Sequence, residues 1–159
     1  GGGRGGGEMA RAALVRGRGG EGMRVGMARH CGNAMAGANF LAGRPKVAYV
    51  DYCGLASSPD HALAEKYLPN GSCGVVSFGL AGGREAASTF MKSLRLAAIE
   101  THVADARTCC LNPASSTHRQ MNDEQLKAAG VPAELVRMSC GLEASADLIA
   151  DIAQALDKV

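Results

Sequence analysis

Apolar and polar positions alternate most regularly in residues 135–143, which read LVRMSCGLE. Val136, Met138 and Cys140 fall on one side of a two-residue period, and Leu135, Arg137 and Ser139 fall on the other. That is the pattern of a half-buried strand. Elsewhere the period is helical. Across residues 23–41 the positions Met27, Cys31, Ala34, Met35, Ala38 and Leu41 form an apolar stripe, with Arg24, Arg29 and Asn33 away from it. Gly32 and Gly37 each weaken this helix by about 1 kcal/mol relative to Ala, so packing must hold it. Gly43 and Pro45 stop it.

Residues 46–52 (KVAYVDY) are rich in Val and Tyr and predict a strand. Ser58 and Pro59 then open a short helix with Leu63 and Tyr67 on one face, which must end before Pro69. Asn70–Gly71 signals a turn into a second strand over 73–80. Gly82–Gly83 introduces a helix whose inner face is Ala87, Phe90, Met91 and Leu94. Residues 97–103 predict a weak strand and 108–111 a stronger one. Asn122 and Gln125 form a capping box for a short helix that Gly130 and Pro132 close. The 135–143 strand follows, then a final helix with Leu148, Ile149, Ile152 and Leu156 inward. Strands joined through helices, with no internal repeat, predict an α/β or α+β layer: helices packed on a largely antiparallel or mixed sheet.

Composition limits the classes this pattern can serve. At 159 residues the chain is about one domain, with 47% hydrophobic and 20% charged residues, ordinary for a globular protein. No apolar run is long enough for a membrane helix. Aromatics are only 4%, so the core must rest on aliphatic side chains, Met and Cys. The six cysteines include no CxxC pair and no Cys/His cluster with zinc spacing, which predicts reduced thiols in a cytoplasmic compartment.

The net charge of +2 is unevenly placed. Residues 1–30 hold six Arg against two Glu, while the remainder holds eleven Lys and Arg against thirteen Asp and Glu. The globular part is therefore mildly acidic and gives no case for nucleic acid. Eleven of the 22 glycines lie in residues 1–26. They predict a flexible Gly/Arg-rich segment over 1–22, with a folded domain over 23–159. An RGG-like RNA-binding arm is the alternative, but no Phe or Tyr is interleaved there for base stacking.

Candidate chemistry is sparse. Arg137 offers a charged, planar fork of donors suited to a carboxylate or phosphate, and a solvated or structurally paired arginine explains the same pattern. Cys109 and Cys110 with His102 suggest a thiol nucleophile, but no third, orienting group is evident. Gly82–Gly83 is a weak phosphate-turn signal. The 113–118 loop, PASSTH, is dense in hydroxyls that satisfy turns or cradle an anion.

The segments ARHCGNAMAGANFLAGRPKVAYVDYCGLASSPDHALAEKYLPNG, CGVVSFGLAGGREAASTF, ADARTCCLNPASSTH and LVRMSCGLE occur in an order that resembles the C-terminal domain of the pyridoxal-phosphate-dependent Cys/Met metabolism enzymes. The resemblance runs from about Met23 to the end. SSPDHALAEKYLP, and ADAR before NPASSTH, look most like the O-acetylhomoserine sulfhydrylase branch. The cystathionine synthases and lyases and methionine γ-lyase are the neighbouring branches.

The resemblance implies the small domain of a fold-type I enzyme, a small amino-acid substrate and assembly as homodimers or homotetramers. It implies that Arg137 binds the substrate α-carboxylate, that position 102, here His102, lies near substrate and cofactor, and that Thr117 lies at the pocket wall. It also implies a cofactor lysine in a Ser-x-Thr-Lys context. Lys46, Lys66, Lys92, Lys127 and Lys158 all lack that context, so the chain is expected to be inactive alone and not to bind the cofactor covalently. A non-catalytic interaction domain is the expectation from a different class.

Overall fold

Ten elements follow one another along the chain: α1 (Gly5–Ala42), β1 (Val47–Asp51), α2 (His61–Tyr67), β2 (Val75–Leu80), α3 (Gly83–Ser93), β3 (Ala98–Ile99), β4 (Cys109–Leu111), α4 (Asp123–Ala128), β5 (Leu135–Ser139) and α5 (Ser145–Leu156). They come from a computed structural model that describes residues 5–116 and 120–159, with side chains from Gly22 onward apart from 123 and 127. The strands form one sheet in the order β1-β2-β5-β4-β3. β1 pairs with β2, β2 with β5 and β5 with β4, all antiparallel, and only the β3–β4 edge is parallel. The expected mixed, largely antiparallel sheet is present. The alternating stretch LVRMS is its central strand.

One face of the sheet is packed with helices. Val76, Phe78 and Leu80 of β2, Cys110 of β4, and Val136 and Met138 of β5 meet Ala34, Ala38 and Leu41 of α1. Phe90 and Met91 of α3 and Leu148, Ile152 and Leu156 of α5 complete the same core. Phe78 and Phe90 meet edge to face, with ring centroids 5.6 Å apart. The inner face foreseen for α3 is the one buried. Gly37 gains a purpose here: a Cβ at that position would lie 3.0 Å from the Met138 methyl, so the glycine lets α1 approach the central strand.

Several local expectations are corrected. The backbone of α1 is helical from Gly5, so the helix includes much of the Gly/Arg-rich stretch over 1–22. Once the 23–42 segment has nucleated a helix, each further residue adds a hydrogen bond without a new nucleation cost. Leu63 and Tyr67 of α2 are exposed, and Ala64 is the residue turned inward. The helix is too short to carry a wide stripe, so a small side chain fits where a large one would not. It also starts at His61, after Asp60 donates its N–H to Ser58 Oγ, rather than directly at Pro59. The capping box forms as foreseen: Asn122 N–H donates to Gln125 Oε1 and Gln125 N–H to Asn122 Oδ1.

Asp151 is buried on the inner side of α5. It accepts backbone N–H bonds from Arg95, Leu96 and Ala97 at 2.9–3.0 Å, tying α5 to the chain that enters β3. Its position on the Leu148–Ile152–Ala155 stripe was a usable signal, because a carboxylate on an apolar stripe needs donors.

Candidate functional site

The other face of the central strand carries Leu135, Arg137 and Ser139, as the two-residue period requires. Arg137 is paired in register with Ser77 on β2 and Leu111 on β4, so its half-buried side chain rises from the middle of the sheet. Its Nη2 donates to the Thr101 carbonyl at 2.8 Å. Its Nε is buried and has no hydrogen-bond partner among the described residues. An always-charged fork with donors left over, held on a rigid strand, suits a planar anion such as a carboxylate.

Thr101 opens a loop that runs to Thr108, and every second residue from Arg137 onward engages it. Arg137 holds the Thr101 carbonyl. Ser139 Oγ accepts the Ala104 N–H at 3.1 Å. Gly141 lies so close that an added Cβ would come within 2.4–2.5 Å of backbone atoms of 106–108. Glu143 takes the Thr108 N–H at 2.6 Å on one carboxylate oxygen and the Thr108 hydroxyl at 2.8 Å on the other. The Gly141 N–H in turn donates to Thr108 Oγ1. The spacing Arg-x-Ser-x-Gly-x-Glu is thus a row of four attachments along one strand edge. The sequence exposed the spacing, but only the arginine carried a chemical expectation.

Helix α1 supports the end of this row. The buried Asn33 donates from Nδ2 to both the Gly141 and Glu143 carbonyls at 2.9 Å, and the Arg29 guanidinium also reaches the Glu143 carbonyl. His30 is buried against the Cys140 carbonyl. Periodicity puts Asn33 away from the apolar stripe, and His30, a lone histidine on the same helix, reads from sequence as a surface or capping residue. Both are instead satisfied internally, because the carbonyls after β5 need donors that water cannot reach.

The loop itself is strained. Ala104 has φ +60, a left-handed conformation that costs an L-residue roughly 1–2 kcal/mol. A cavity of about 200 Å³, lined in part by His30, Val75, Val103, Ala104 and Ser139, adjoins it. Near Val103 and Ala104 the loop borders open space, while at 106–108 it packs against Gly141.

His102 follows Thr101 directly. Its Nδ1 lies 3.0 Å from Glu100 and 3.6 Å from Asp105, and the side chain is 61% exposed. Arg107 joins the same group of charges. The Arg107 N–H donated to Asp105, with the charges of Arg107 and His102 behind it, holds the Asp105 carboxyl below its ordinary range. The structure therefore brings the backbone beside His102 to Arg137 while the imidazole engages acids. Thr117 and His118 lie outside the described residues. Ser115 and Ser116, in the same loop, close turns on Asn112.

The remaining candidates separate from this face. Cys109 and Cys110 are buried, and His102 makes its contacts with carboxylates rather than with either thiol. Burial raises both thiols, Cys110 the more strongly. Neither suits a nucleophile. Gly82–Gly83 opens α3, whose side chains belong to the helix-covered core on the opposite side of the sheet from Arg137. Lys46 donates to the Leu156 carbonyl, Lys66 lies on α2 and Lys92 on the last turn of α3. No lysine belongs to β2, β4, β5 or the 101–108 loop.

Comparison with known proteins fits this geometry. The chain is 45% identical over 131 residues to a homocysteine synthase of Schizosaccharomyces pombe, covering 82% of this chain and 30% of that protein. It is 40% identical over 133 residues to an L-methionine gamma-lyase of Fusobacterium nucleatum subsp. polymorphum, covering 84% of this chain and 33% of that one. A crystal structure described as an O-acetylhomoserine (thiol)-lyase from Campylobacter jejuni, containing N'-pyridoxyl-lysine-5'-monophosphate, superposes with a TM-score of 0.77 at 36% identity. That match covers 84% of this chain and 32% of the other. The chain thus spans about a third of the length of the relatives it matches. The sequence profile of the Cys/Met metabolism PLP-dependent enzymes matches residues 3–157, and the chain belongs to that family.

Proposed function

We propose that this chain supplies the substrate-carboxylate clamp of a pyridoxal-phosphate-dependent sulfhydrylase. The reaction is γ-replacement: O-acetylhomoserine and sulfide, or a thiol, give homocysteine, or methionine, and acetate. The observation that carries this reading is Arg137, fixed on the central strand, tied at Nη2 to Thr101, with donors left for a planar anion. An amino acid held by its carboxylate at such a fork has its Cα–H bond orientation set before reaction.

The family's cofactor is pyridoxal phosphate, which supplies an electron sink when bound. The described residues do not fit covalent attachment of it, since none of the elements that build the Arg137 face contributes a lysine. The chain's own residues bind and orient; the lysine and the cofactor pocket belong to another part of the catalytic unit, and the chain alone is inactive.

Two measurements test this. The isolated chain mixed with pyridoxal phosphate should give no visible absorbance band that survives gel filtration; a stable band abolished by substituting one of its lysines would overturn the division of roles. A chimaera in which this chain replaces the corresponding segment of the S. pombe homocysteine synthase should form homocysteine from O-acetyl-L-homoserine and sulfide faster than it degrades L-methionine. In that chimaera Arg137→Lys should raise KM for O-acetyl-L-homoserine at least tenfold, because an ammonium cannot reproduce the bidentate fork. An unchanged KM would remove Arg137 from the site, and preferential methionine breakdown would move the protein to the lyase branch.

A further inference from the structure

We infer that Glu143 is a positioning residue for Arg137, acting through the 101–108 loop rather than by touching substrate. The inference rests on the carboxylate reading of Arg137 and deepens it. The loop carries the Thr101 carbonyl that orients the guanidinium, and it holds Ala104 at φ +60, a conformation it would not keep unaided. At Val103 and Ala104 it adjoins a cavity. Besides the Leu142 N–H on the Ala106 carbonyl and the Gly141 N–H on Thr108 Oγ1, two side chains oppose that strain. Ser139 holds the Ala104 N–H, and Glu143 holds Thr108 through both carboxylate oxygens.

Glu143 takes two donors at once, one on each carboxylate oxygen. It is itself fixed to α1 by Asn33 and Arg29 through its carbonyl. Arg137 and Glu143 thus act at opposite ends of the loop. Removing the Glu143 carboxylate leaves Thr108 only its contacts with the Gly141 and Ala98 N–H groups, so the loop loosens toward Ala104 and the Thr101 carbonyl shifts from Nη2. The guanidinium loses its fixed orientation although Arg137, its strand and the core are untouched.

The test uses the full chain labelled with ¹⁵N, with the Arg137 side-chain resonances identified by their loss in Arg137→Lys. In the unmodified chain the Nη signals should report a guanidinium restrained from rotating. Glu143→Ala should let it rotate freely. The same variant should lower amide-exchange protection of Ala104 and Thr108 at least tenfold, and leave protection in β2 and α5 within twofold.

Glu143→Gln keeps an acceptor for the Thr108 N–H and should recover part of both effects. If Glu143→Ala does not fold, the smaller changes expected of Glu143→Gln relative to the unmodified chain carry the same test. Unchanged Arg137 rotation and Ala104 protection would overturn the inference, as would an equal fall in protection throughout the core, which marks a merely structural role. The carboxylate reading is scored separately by titrating the unmodified chain with L-methionine: failure to shift the Arg137 Nε–H signal counts against that reading and leaves the positioning result standing by itself.

Discussion

A Cβ on Gly141 would lie 2.4 Å from the carbonyl oxygen of Ala106, a separation that no relaxed structure accommodates. Gly141 has no positive φ, so the demand is for space rather than for an unusual backbone conformation. Gly141→Ala should therefore destabilise the chain by about 3 kcal/mol, because the obstructing atoms are backbone and cannot rotate aside. Chemical denaturation would measure this. A loss of less than about 1 kcal/mol would mean that the loop stands further from the strand.

Asn33 faces two carbonyls at once, those of Gly141 and Glu143. Asn33→Ala should cost about 2 kcal/mol by leaving these acceptors short of donors. Asn33→Asp should cost more at neutral pH, since it points an anion at two carbonyl oxygens. Its deficit should shrink on acidification, when the protonated carboxyl can donate one bond. Melting curves for both variants across the acidic range would decide it, and a deficit independent of pH would count against the geometry.

Asp151 gathers three consecutive backbone N–H groups with its two oxygens. Asp151→Asn conserves shape but turns an amide NH₂ toward donors, so it should destabilise by about 2–3 kcal/mol. Because the bonds fix the entry to β3, amide exchange at Ala98 should accelerate first. Faster exchange in β1 than in β3 would contradict this assignment.

Alkaline pH should weaken the fold. Burial pushes the Cys140 thiol up from 9.0 to about 12 and the Tyr52 hydroxyl up from 10.0 to about 12. Burial raises Cys110 as well. Each folded pKa lies above its unfolded value, so the native state keeps protons that the unfolded chain loses. Stability is full below about pH 9 and falls as pH rises toward 12. Thermal midpoints across that range should show the decline, and Cys140→Ala should make it shallower. Under native conditions a thiol reagent should modify the partly exposed Cys31, Cys53 and Cys73 before Cys109, Cys110 and Cys140. Early labelling of Cys110 would show that the core opens readily.

The architecture was legible wherever one period ran long enough. The alternation through 135–140 located the central strand and its two faces, and Phe90 and Met91 located the buried side of α3. The carboxylate role proposed for Arg137 rests on the family resemblance, because a single arginine on a strand fits several roles. Least legible were the polar residues that act across long stretches of chain. Asn33 and Gly141, His30 and Cys140, Glu143 and Thr108 are matched by hydrogen bonds that no periodicity encodes. Hydrophobic pattern reports which side faces the core. It does not report which carbonyl lacks a donor there. On α2 the same pattern misled, because seven residues present too little surface to require that Leu63 and Tyr67 be inside.

The two-residue period of β5 divides its positions into separate constituencies. Val136 and Met138 answer to the helices, while Arg137 and Ser139 answer to the loop. Substitutions in this strand can therefore change at different rates for different reasons, one set judged by folding and the other by recognition. Insertions and deletions have no such freedom. Losing one residue between 135 and 139 would transpose the two sets, driving a guanidinium into the aliphatic core and turning Met138 toward the 101–108 loop. The segment is open to drift in composition and closed to drift in length.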